Sequence, residues 1–103
     1  MRLRIFMVIQ LTKEEIDIIK KILAVHLENV DYRLFGSRAK GSAKRYSDLD
    51  IVLVDTQPIP LLTLSALEED FAESDLPFKV DLVDWQRITS EFQEKIQSEW
   101  IKI

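Results

Sequence analysis

The chain has 103 residues, 47% of them apolar and 31% charged, with two glycines and three prolines, which is the profile of one folded domain and excludes a disordered tail. It contains no cysteine, which excludes disulfides, thiolate metal sites and thiol catalysis and fits a reducing compartment such as the cytoplasm. The net charge of −4 argues against broad nucleic-acid binding and leaves room only for a local phosphate site.

The opening stretch "MRLRIFMVIQL" is too short and too quickly followed by "TKEE" to be a signal peptide, and residues 1–10 are expected to form an edge strand or a loose arm. No segment has the ~20 consecutive apolar residues of a membrane span. Thr12 and Glu15 have capping-box spacing, and Ile16, Ile19, Leu23 and Leu27 give the following helix, to about Glu28, one buried stripe. His26, the only histidine, lies near that stripe and has no partner motif, so it reads as structural.

"YRLF", residues 32–35, is a short strand running into Gly36, and "SRAKGSAK" a short helix. "SDLDIVLVD", 47–55, is apolar on both faces and therefore central in its sheet. A helix over Leu61 to Glu73, a strand over 78–85, a helix in "TSEFQEKIQSE" boxed by Ser90 and Gln93, and a short terminal strand "WIKI" complete the chain. This order predicts an α/β (α+β) domain spanning residues 1–103, a small mixed sheet covered by helices.

The central strand carries an anomaly. Asp48 and Asp50 stand at i and i+2, so both project to one face with Cα atoms roughly 7 Å apart. At ~5 Å and an effective dielectric near 20, two such charges repel by about 3 kcal/mol. An arginine or lysine partner, protonation of one aspartate, or a divalent cation must offset this. Asp81, inside the apolar run of the next strand, is the natural third carboxylate; Asp84 falls on the opposite face, where it can cap the following turn. If the strands are neighbours, the three acids form an oxygen-rich site suited to magnesium. Gly36 allows a phosphate close to the backbone, and the N–H groups after it and the Ser37 hydroxyl can donate to it. Gly36 and Gly41 have P-loop spacing, but Ser42 stands where the P-loop lysine is required, which argues against a Walker-type ATPase.

"FGSRAKG" with "YSDLDIVLV" and "VDLVDW" resembles the minimal nucleotidyltransferases of the DNA polymerase beta superfamily, over most of the chain. The resemblance implies a nucleotidyltransferase fold. It implies that Gly36 and Ser37 hold a triphosphate, with Arg38 as a further phosphate contact. Asp48, Asp50 and Asp81 would bind two magnesium ions while a nucleoside monophosphate, expected to be AMP from ATP, passes to an acceptor hydroxyl, and Asp81 would help deprotonate it. Lys40, Lys44 and Arg45 read as a solvated basic loop. The resemblance further implies a separate helical HEPN-domain partner, with this chain as the antitoxin of a toxin–antitoxin pair. The alternatives are the catalytic subunit of a two-component transferase acting on a small molecule, and a binding antitoxin without catalysis. A homo-oligomer is left open.

Overall fold

The computed structural model describes residues 9–103, so the expected edge strand or arm over residues 1–10 lies outside the described residues except for Ile9 and Gln10. Helix α1 (Lys13–His26) begins where the sequence places its cap: the Thr12 hydroxyl accepts from the Glu15 N–H at 3.1 Å, and the Glu15 carboxylate accepts from the Thr12 N–H at 2.9 Å. Ile16, Ile19 and Leu23 are its buried residues. The helix ends at His26, short of Glu28, because Leu27 is already extended. The His26 imidazole lies 2.5 Å from Oδ2 of Asp70 and ties α1 to the helix that follows the central strand.

Strand β1 (Asp31–Phe35) runs directly into the short helix α2 (Gly36–Lys40). α2 stops sooner than the expected helix through residue 44, because Gly41 takes a left-handed φ of 77° and its N–H returns to the Ser37 carbonyl. Then come β2 (Leu49–Val54), α3 (Leu61–Ala72), β3 (Val80–Asp84), one 3₁₀ turn (Trp85–Arg87) and α4 (Ser90–Gln97). The cap of α4 is Thr89, whose hydroxyl accepts from the Phe92 N–H, and not the expected Ser90–Gln93 box. Gln93 instead donates to the Trp85 carbonyl. The expected terminal strand is reduced to one antiparallel residue pair, Leu34 with Ile101.

The sheet has the order β1-β2-β3, with β1 antiparallel and β3 parallel to β2. β2 is central, as its two apolar faces require. On one face Leu49, Ile51 and Leu53 are fully buried against Ile19 and Leu23 of α1 and Leu67 and Phe71 of α3. On the other, Val52 packs with Phe35 and with Ile96 of α4. Each such side chain contributes about 1.5–3 kcal/mol through removal from water, so β2 is held from both sides and its register is fixed.

Asp84 is buried on the side of the sheet where alternation puts it. Its carboxylate accepts from the N–H groups of Ile59 at 2.8 Å and Gln86 at 2.9 Å and pairs with Arg87 at 2.6 Å. These partners satisfy it as a cap of the 3₁₀ turn.

Candidate active site

The register of the parallel pair sets Asp50 directly beside Asp81. Neighbouring strands lie ~4.8 Å apart and paired residues share a face, so the two carboxylates project side by side. Asp48 precedes β2 by one residue and is exposed, whereas Asp50 and Asp81 are partly buried. All three therefore sit at the start of the two parallel strands, on the sheet face that packs against α4.

The like charges have an electrostatic consequence. Burial pushes the Asp50 carboxyl up, and the charges of Asp81, Asp48 and Glu99 add to this, bringing its pKa to about 6. Among the described residues, neither Asp48 nor Asp50 has an ion-pair partner, and Asp81 has only the exposed Lys79 ammonium at 3.8 Å. No three metal-ligating side chains among the described residues close on a common point. Asp50 and Asp81 thus stand side by side with only the Lys79 ammonium near them.

Gly36 closes one side of this cluster. It has φ 79°, and a Cβ added there would lie 2.1 Å from Oδ2 of Asp50. Only glycine allows the turn to lie against the carboxylate. Ser37 follows at once, and its carbonyl accepts from Ser42 at 2.9 Å, which folds the segment back on itself.

Arg38 departs from the phosphate contact that the family resemblance implies. Its side chain is buried, and Nε, Nη1 and Nη2 donate to the carbonyls of Ser47 (2.9 Å), Gln10 (3.0 Å) and Arg45 (2.8 Å). The guanidinium also lies 4.0 Å from the centre of the Phe78 ring. Arg38 therefore clamps the 41–48 loop that delivers Asp48. Gln10 assists, exchanging hydrogen bonds with the backbone of Ala43.

Two further charged residues belong to the site. Glu99, after α4, is largely buried, is one of the charges acting on Asp50, and pairs with Lys40 at 2.8 Å. Lys40 is thus engaged, unlike a freely solvated loop residue. Nothing in the periodicity of the sequence marked Glu99, because its position depends on how the segment after α4 returns to β1. Lys44 and Arg45 are exposed, as expected of a basic loop. Along the edge of β3, between it and α3, which covers the sheet face opposite to α4, lies a separate cleft of about 730 Å³.

A family model described as "Polymerase beta, Nucleotidyltransferase" matches residues 17–103. The "Probable protein adenylyltransferase MntA" of Haemophilus influenzae is 40% identical over 98 residues, covering 95% of this chain and 86% of that protein. The "Protein adenylyltransferase MntA" of Thermococcus cleftensis is 40% identical over 80 residues, covering 71% of this chain and 77% of its own. Among solved structures, a toxin–antitoxin complex with AMP-PNP superposes with a TM-score of 0.71 at 26% identity, over 82% of this chain and 68% of that one. A protein assigned as a minimal nucleotidyltransferase superposes with a TM-score of 0.65 at 27% identity, over 84% of this chain and 87% of that one.

Proposed function

The chain belongs to the polymerase beta nucleotidyltransferase family and is a nucleotidyltransferase, and from this premise we propose that it transfers AMP from ATP to a hydroxyl of a separate protein, acting as the antitoxin of a toxin–antitoxin pair. The observation that carries the reading is the placement of Asp50 beside Asp81 with Gly36 in contact with Asp50. A polyphosphate held at the Gly36-Ser37 turn would present its α-phosphorus to the carboxylates. The AMP-PNP in the related toxin–antitoxin complex supports the nucleotide, and the protein adenylyltransferases among the relatives support a protein acceptor.

The donors are of the kind magnesium takes: Asp50 and Asp81 offer hard oxygens side by side, Asp48 would close on them from the loop as a third ligand, and the crowded negative charge at Asp50 is one that a divalent cation would offset. Bound there, two such ions would neutralise phosphate charge and favour in-line displacement. The protein's own groups do the rest. Gly36 lets the turn approach, Arg38 fixes the loop that carries Asp48, and Asp81 accepts the proton of the acceptor hydroxyl. The partner is proposed to be a helical HEPN-domain protein, following the family resemblance of the sequence.

Incubation with labelled ATP, magnesium and the copurified partner is expected to label the partner. Asp48→Asn with Asp50→Asn should abolish both the label and the neutralisation of the partner. Neutralisation that survives the double substitution would mean that contact alone suffices.

A further inference from the structure

Lys40 and Glu99 form an ion pair beside the acidic cluster, and the transfer reading above uses neither. The Lys40 ammonium lies 2.8 Å from Oε2 of Glu99. The charge of Glu99 acts on Asp50, and Gly36, one turn of α2 before Lys40, packs against the same carboxylate. The ammonium is therefore held on the side of Asp50 where the Gly36-Ser37 turn stands.

The pair is built to aim this cation. The Glu99 side chain is only 15% exposed. Its backbone is fixed on both sides: its N–H donates to the Ile96 carbonyl at 3.1 Å, and two residues on, Ile101 exchanges hydrogen bonds of 2.8 Å with Leu34 of β1. The Lys40 side chain, by contrast, is 51% exposed. An ammonium has three N–H donors, and Glu99 is its one ion-pair partner among the described residues, so donors remain for a ligand arriving from solvent.

Charge creates a demand for such a donor. Asp48, Asp50, Asp81 and Glu99 are four carboxylates, which two divalent cations would just match, leaving the charge of a triphosphate to be met by the protein. Arg38 cannot meet it, because all its guanidinium nitrogens donate to carbonyls. Lys79 pairs with Asp81 on β3, across Asp50 from β1 and its turn. Among the described residues, Lys44 and Arg45 pair with none of these acids.

We infer that Lys40 is the cationic contact for the β- and γ-phosphates of the bound nucleotide and that Glu99 is its positioning residue. The inference rests on the transfer reading and deepens it: the phosphate contact that the family resemblance implies for Arg38 passes to Lys40. In the transfer step the acceptor oxygen bonds to the α-phosphorus as the bridging bond to the β-phosphate breaks. The hydroxyl proton passes to Asp81, and the electron pair leaves on pyrophosphate, whose negative charge Lys40 offsets.

Calorimetry of the full chain with magnesium measures the affinity for ATP directly and for AMP by competition. Lys40→Gln should weaken ATP binding roughly tenfold and leave AMP binding in place, because AMP has no β- or γ-phosphate. Lys40→Arg, which keeps the charge, should retain most of the affinity. Glu99→Ala should weaken ATP binding in the wild-type background and no further in the Lys40→Gln background, a coupling that a merely structural ion pair would not give. Circular dichroism confirms that each variant folds. ATP binding unchanged by Lys40→Gln, or an equal loss for ATP and AMP, overturns the inference alone, and an effect of Glu99→Ala that is independent of Lys40 overturns the positioning role. Failure of the wild-type chain to bind ATP with magnesium overturns the transfer reading and the inference with it.

Discussion

Asp50 and Asp81 face each other across the parallel pair β2/β3, and burial of Asp50, with the repulsion of Asp81 added to it, holds the Asp50 carboxyl at a pKa of about 6. Folding thus raises this group from an ordinary 3.8, so the native chain binds the proton more tightly than the unfolded one. The stabilisation is complete below pH 3.8 and disappears as the pH rises through about 6. Without metal, the difference in melting temperature between wild type and Asp50→Asn should change across this window, with the wild type gaining toward acid. Magnesium should raise the wild-type melting temperature above pH 6 and progressively less below it, because the proton competes for the same oxygens. Scanning fluorimetry across pH, with and without magnesium, checks both.

Asp81→Asn removes a charge whose repulsion bears on Asp50 together with the group proposed to accept the proton. AMP transfer is expected to fall by roughly a hundredfold or more, while the metal-free protein melts at a higher temperature than wild type. Loss of activity with a lowered melting temperature would instead indicate damage to the fold.

Gly36→Ala forces a Cβ to within 2.1 Å of the Asp50 carboxylate and a side chain into a left-handed conformation. The backbone strain alone costs about 1–2 kcal/mol, and Asp50 must also move. Chemical denaturation should show the stability loss, and the thermal response to magnesium with ATP should vanish.

Arg38→Leu leaves the carbonyls of Gln10, Arg45 and Ser47 without their donors. A destabilisation on the order of 3 kcal/mol is expected, with faster hydrogen exchange confined to residues 41–48. An unchanged exchange rate in that loop with weakened ATP binding would favour phosphate contact.

Glu99→Gln removes one of the negative charges acting on Asp50. The pH midpoint of magnesium binding, read by calorimetry, should move downward by a fraction of a unit. Asp84→Asn, on the other face and already satisfied, should leave that midpoint in place.

Much of this was legible in the sequence for identifiable reasons. Alternation fixed β2 as central, because only a strand with sheet on both sides and helices on both faces can bury Leu49, Ile51, Leu53 and Val52 together. The same alternation separated Asp81 from Asp84. Local chemistry marked Thr12 as a cap, whereas the choice of Thr89 over Ser90 depended on which hydroxyl met a free N–H, a matter of one residue. Arg38 and Glu99 were beyond such reasoning. One is buried by a loop that returns over it and the other by the path after α4, and both are settled by contacts remote in the chain.

The alternation of β2 has another consequence. Shifting this strand by one residue would turn Asp50 into the layer occupied by Ile19, Leu67 and Phe71 and swing Ile51 out to the other side. An ionised carboxylate in that layer is prohibitive, so the acidic side chain that is awkward in the native protein is worse after a one-residue slip in either direction. The charge at Asp50 thereby also selects against the one-residue slips as the chain folds.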